Sequence, residues 1–366
     1  MSKAPEPTDI IWKNIPTKTT QKIWRHILTT IVMLVVLSIA FLIYFLLGLL
    51  RYDLDKELDR QSGRGNIGMY ILVFLVSTIT SLFVSVFNAI IESIIMSLSN
   101  FERHTSHASY SSFVAPKLAL ALFINTGLTP LLVNIRNHDW FNSSGLVIDV
   151  IFNTISVCYV YPLLEFYTFG YFKNKFIIWM ERRKGDKSYY TQREMNKLHE
   201  GDEICIANMN AYAMLLIMIS AFYVTLVPFL PLICFGGAIY QYWIEKYMFI
   251  RRMKFPPKLS GYVERAMRQM MPFVILFYGT GQRLFIYELS NQRDDSSYFI
   301  MWITFAYLLL PIKTCAKYFF CVKKIEKDQE STYDENRYLF RPDYLDVNPV
   351  HFLTVSSIVY MNLEYE

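Results

Sequence analysis

The sequence predicts an all-α membrane bundle of about eight transmembrane helices, with both termini in the cytosol. Three observations carry that expectation. Apolar residues run in blocks of about 20 or more, the length a bilayer-spanning helix needs. Charged residues make up only 18% of the 366-residue chain while hydrophobic residues make up 53%, against about 25% charged in soluble domains. Lys and Arg also alternate in density from one inter-block segment to the next, as they do across a membrane. A soluble enzyme or a nucleic-acid module is thereby excluded, and a net charge of +5 is too small to point to nucleic acid.

Residues 1–21 are polar, with Pro5, Pro7 and Pro16, and read as an extended cytosolic lead-in. The first apolar block, Ile23 to Leu50, has neither an acidic residue nor a proline. The charged run Arg51 to Arg64 reads as a short solvated helix linking it to the second block, Ile67 to Leu98. A polar loop, Ser99 to Ser112, precedes the third block, Phe113 to Ile135. The fourth runs from Leu146 to Phe169 and merges with the aromatic, basic stretch Tyr171 to Met180, an interfacial belt or foot. After the charged residues 181–207, the apolar run Tyr212 to Trp243 is too long for one straight span. Pro228 and Pro231, three apart, predict a tight helical hairpin that divides it into blocks five and six. Block seven is Met270 to Leu289 and block eight Tyr298 to Val322, which closes a membrane domain over 22–322; a cytosolic tail, 323–366, follows.

The polar segments assigned to the cytosolic side hold 29 Lys and Arg, and the alternate segments hold six. This bias places the basic side in the cytosol. The sequon Asn142-Ser143-Ser144 falls in an expected external loop, which makes Asn142 a glycosylation candidate. Of the five cysteines, Cys158, Cys205, Cys234, Cys315 and Cys321, none shows zinc-type spacing, and they read as inert thiols.

Polar residues inside a bilayer are costly and turn inward, which makes them the default functional candidates. Asn88 and Glu92 in block two are four apart and share a helix face. Block three carries Asn125 and Thr129, and block four carries Asn153, Tyr161 and Glu165. These seven are the candidates for lining or gating a path. Gly127, Pro130 and Pro162 weaken the same helices and are the hinge candidates. Helix–helix hydrogen bonding is the plainer role for each residue taken singly; their concentration in adjacent blocks favours a shared polar path. For Arg283, within Gly279-Thr280-Gly281-Gln282-Arg283, a structural ion pair with Glu288 is expected.

Catalytic chemistry has no support. Glu102-Arg103-His104-Thr105-Ser106-His107 contains a His-x-x-His pair, but the other histidines are scattered, and a solvated loop is the better reading. No nucleophile elbow or phosphate-binding loop is present. No metal site, no cofactor and no enzymatic activity are expected.

Two stretches go further than composition. Pro7-Thr8-Asp9-Ile10-Ile11-Trp12-Lys13-Asn14, and Tyr190-Thr191-Gln192-Arg193-Glu194-Met195-Asn196-Lys197-Leu198-His199-Glu200-Gly201 continuing to the Val227-Pro228-Phe229-Leu230-Pro231 corner, resemble the membrane region of the hyperosmolality-gated, calcium-permeable channel (OSCA-like) family. That family shares a superfamily with the anoctamins and the transmembrane channel-like proteins. The resemblance, over roughly residues 5–320, implies a calcium-permeable cation channel opened by membrane tension or osmotic stress, usually dimeric, with one pore per subunit among the first five helices of this region. Family members carry further helices and a cytosolic domain before the Asp-Ile-Ile-Trp stretch. A homodimer, or a partner chain supplying those helices, is therefore expected. No calcium site is carried over. Membrane lipids and permeating cations are the other partners implied, and the plasma membrane the location. The alternatives are a phospholipid scramblase of the same superfamily and a non-conducting structural subunit of a membrane complex.

Overall fold

The computed structural model describes residues 9–61, 67–134, 140–141, 145–167, 169–184, 190–201, 205–254, 262–290 and 295–309. Among these the chain is helical apart from turns, short connections and one isolated bridge, Ile10 to Ser106. Asn142, residues 310–322 of the eighth block and the whole tail lie outside the described residues. Five segments are long and apolar enough to cross a membrane: Thr19–Leu50, Thr78–Phe101, His107–Asn134, Leu146–Lys184 and Ile206–Tyr223.

Helix α1 (Thr19–Gln61) has no proline and runs unbroken through the charged segment expected to form a separate short helix. At 1.5 Å per residue its 43 residues reach about 64 Å, roughly twice the hydrocarbon thickness. Helix α2 (Ile67–Phe101) is followed almost at once by α3 (His107–Phe123). The expected 14-residue polar loop is thus only 102–106, because Ser106 caps α3 by accepting a hydrogen bond from the Ser109 amide at 3.0 Å. Arg103 supplies the reversal with φ 55°, in the left-handed region.

The third block continues from α3 through a π-turn (Ile124–Leu128) into α4 (Thr129–Asn134). The fourth repeats the device: α5 (Leu146–Ile155), a second π-turn (Ser156–Val160), then α6 (Tyr161–Phe166) with Pro162 in its first turn. Helices α7 (Phe169–Lys184) and α8 (Gln192–His199) follow. The latter is held by a capping box in which Thr191 and Glu194 satisfy each other's backbone N–H groups. Helix α9 (Ile206–Tyr223) turns sharply into α10 (Leu230–Arg251). Pro231 sits in the first turn of α10, where a missing N–H has no helical partner to lose. Helices α11 (Tyr262–Ser290) and α12 (Asp295–Leu309) close the described chain.

The core lies where α3 packs against α9 and α11. Alanines 108, 115, 119 and 121 of α3 are fully buried. Lipid tails are as apolar as leucine, so close van der Waals approach, which small residues allow, holds such helices together. A methyl group on Gly281 would overlap the Phe222 carbonyl of α9, and one on Gly279 would overlap Thr304 of α12. The Gly-Thr-Gly segment is therefore a packing device. Arg283 lies over the Tyr298 ring at 3.6 Å and the Tyr287 ring at 4.8 Å, a cation–π arrangement.

Candidate functional site

A seam of polar groups runs down one face of α2, from Ser85 through Asn88 to Glu92, positions three and four apart and so stacked on one side. Ser85 Oγ meets Ser156 Oγ of the second π-turn at 2.5 Å. One turn on, Asn125 donates to Asn88 Oδ1 at 2.8 Å, and Asn88 Nδ2 donates to Thr126 Oγ1 at 2.9 Å. Ser85, Asn88, Asn125, Thr126 and Ser156 are all buried. A further turn on, Glu92 accepts from the Tyr161 hydroxyl at 2.6 Å, from the Tyr212 hydroxyl at 3.3 Å and from Asn208 Nδ2. The Tyr161 and Tyr212 rings stack with centroids 3.8 Å apart.

Both π-turns contribute to this seam. A π-turn widens the helix by one residue and interrupts the ordinary backbone ladder. Asn125 and Thr126 belong to the first, and Ser156 to the second. The Tyr223 hydroxyl of α9 donates to the Gly127 carbonyl within the first π-turn at 2.6 Å, an external donor that a regular helix interior would not need. Gly127 also spares a clash, since a Cβ there would come to 2.9 Å from the Phe123 ring. Pro130 and Pro162 each lie two residues past the end of a π-turn, where the ladder is already broken.

The structure therefore places Asn88 and Glu92 on one face of α2, in two neighbouring clusters, Asn88 with Asn125 and Glu92 with Tyr161. Glu165, half-buried one turn beyond Tyr161, lies within electrostatic reach of Glu92 and of Glu245 on α10. Thr129 and Asn153 stand apart from the seam. Thr129 donates to its own helix at the Ile124 carbonyl, 3.0 Å, and Asn153 faces α1, with Tyr44 Oη at 3.5 Å. Sequence reasoning missed Asn208 and Tyr212. Asn208 and Tyr212, four apart on α9, carried the same face-sharing signal that singled out Asn88 and Glu92.

A second carboxylate cluster closes the α2–α3 junction. Glu102 is 3% exposed, not solvated as its hydrophilic neighbours suggest. It accepts from Lys117 Nζ at 2.7 Å and from Thr29 Oγ1, and the ring nitrogens of His26 and His104 lie 2.9 and 3.0 Å from its Oε2. Burial pushes the Glu102 carboxyl up, but the His104, Lys117 and Thr29 hydrogen bonds and the Lys117 charge outweigh it and hold it at about 2. The lead-in docks on the same junction: Asp9 Oδ1 accepts from the Ala108 amide at 2.7 Å, and Asn14 Nδ2 donates to the His104 carbonyl at 2.8 Å. Among the described residues, no group of three or more His, Cys, Asp or Glu is arranged to hold a metal ion.

No protein-family model matches the chain, and a search of curated proteins returns no match.

Proposed function

We propose that this chain is a cation channel of the plasma membrane, or the pore-forming part of one, opened by membrane tension or osmotic stress and permeable to calcium. The observation that carries the reading is the seam from Ser85 to Glu92, a row of hydrogen-bonded polar clusters along one face of a mostly apolar helix. Within each cluster the groups are bonded directly to one another, as a closed path would require. Opening would exchange these bonds for water and ions. The two π-turns supply the yielding points, because helices interrupted there bend at smaller cost than regular ones. Glu92, with Glu165 in electrostatic reach of both it and Glu245, would favour cations over anions. Eight spans with both termini cytosolic complete the proposal. α10, α11 and α12 would then cross as well, with their charged ends at the interfaces.

The experiment is direct. The purified protein is reconstituted into liposomes and currents are recorded while suction is applied to excised patches. Tension-dependent, cation-selective openings are expected, and their absence from folded protein would reject the reading. A lipid-scrambling role needs a polar groove open to lipid. The groove on the outer face of α2, lined by Val86, Ala89, Ile90, Ser93, Ile94, Ser97 and Leu98, is apolar apart from two serines. Both of those hydroxyls are spent on carbonyls of their own helix, at 3.0 and 2.9 Å.

A further inference from the structure

A cavity of about 120 Å³ opens where the foot helix α7, the end of α8 and the end of α10 meet. Its cations converge. The Arg252 guanidinium lies 3.5 Å from the centroid of the Tyr171 ring, and Lys175 Nζ lies 4.7 Å from the same centroid. Arg252 is held in place by a hydrogen bond to the Phe166 carbonyl and by the Phe166 ring, 4.7 Å away. Two positive charges gathered over one ring repel each other unless an anion joins them. The acidic residue in the lining, Glu200, has its carboxylate on Lys254 at 2.7 Å.

The cavity wall is built, not incidental. Gly201 ends the α8 motif against the backbone of Arg252, and a Cβ there would occupy the position of the Arg252 carbonyl oxygen. Only glycine allows this approach, which brings His199 and Glu200 to the rim. The flank outside the cavity is apolar and exposed: Phe172, Phe176 and Trp179 on α7, and Tyr247 and Ile250 on α10. Aromatic rings of this kind settle at the headgroup level of a bilayer. Cations within and exposed aromatics without match a ligand whose head is anionic and whose tail lies in lipid.

We propose that this cavity binds the phosphate monoester headgroup of an anionic membrane lipid, with Lys175 and Arg252 as its charge partners. A monoester's charge of about −1.5 to −2 at neutral pH matches two cations. The proposal rests on the chain lying in a membrane, not on its conducting ions, so a binding assay separates its failure from that of the channel reading.

The test uses the full chain in a neutral detergent, titrated by thermophoresis with dioctanoyl phosphatidic acid, dioctanoyl phosphatidylcholine and inorganic phosphate. Saturable binding is expected for phosphatidic acid, with weaker binding of the other two. Lys175→Gln, an exposed position that leaves the fold intact, should weaken phosphatidic acid roughly fivefold, the share of one surface cation. Arg252→Gln should weaken it more, while Lys18→Gln in the lead-in should leave it within about twofold. Unchanged affinity in Lys175→Gln, an equal loss in Lys18→Gln, or equal affinity for phosphatidylcholine or inorganic phosphate would each overturn the proposal.

Discussion

Glu92 and Glu102 stand ten residues apart, one in the last turns of α2 and the other just past its end, and they have opposite surroundings. Glu102 meets a cation, Lys117, along with Thr29 and two imidazoles. Among the described residues Glu92 meets only neutral donors, the Tyr161 and Tyr212 hydroxyls and the Asn208 amide. A carboxylate neutralised by a buried cation fastens helices together. One met by neutral dipoles alone offers oxygens that a passing cation can answer. The first arrangement marks a structural latch joining α1, α2 and α3, the second a site able to respond.

The comparison can be broken at the latch with the largest effect. Lys117→Met leaves Glu102 buried without its cation and should destabilise the protein by about 3 kcal/mol, read as a drop in melting temperature in detergent. If the loss were negligible, Glu102 would not depend on that charge. Acid should act on the same cluster. The Glu102 carboxyl, held at about 2 against an ordinary 4.5, contributes stability that is fully present above the ordinary value and is lost as pH falls toward 2. Melting temperature should therefore fall between about pH 4.5 and 2, and this part of the fall should be missing in Glu102→Gln.

Effects at the seam should be smaller. Tyr161→Phe removes one hydrogen bond to Glu92 and should cost about 1 kcal/mol; in patch recordings it should also lower the tension at half-maximal opening. Glu92→Gln should change stability least, within about 1 kcal/mol or with a slight gain. A glutamine keeps the shape: its oxygen can accept from the tyrosine hydroxyls, and its N–H can donate to Asn208 once that side-chain amide turns over. The change removes a carboxylate with no cationic partner among the described residues. A large loss of stability in Glu92→Gln would make Glu92 a second latch and erase the contrast.

Much of this was legible in the sequence, for reasons specific to each element. The apolar blocks marked the helices, since a bilayer sets their length. Pro228 and Pro231 marked the α9–α10 corner, since proline belongs at helix starts. Asn88, Glu92, Asn125 and Tyr161 stood out because polar side chains are rare among apolar ones. Their partners were not legible. Helical spacing tells which residues share a face, not which helix that face meets, so the shared face of Asn208 and Tyr212 gave no sign that it meets Glu92. Glu102 looked solvated because its neighbours in sequence are hydrophilic, whereas its burial is made by His26 and Lys117, 76 and 15 residues away. The π-turns left only the traces of Gly127, Pro130 and Pro162, which signal weakness in a helix but not its form.

The most direct measurement is the ratio of cation to anion permeability of the tension-evoked current, compared between wild type and Glu92→Gln, with Glu102→Gln as the reference. Loss of cation preference in Glu92→Gln, with the preference kept in Glu102→Gln, is the result expected of a path that runs past Glu92. An unchanged ratio in Glu92→Gln would contradict it.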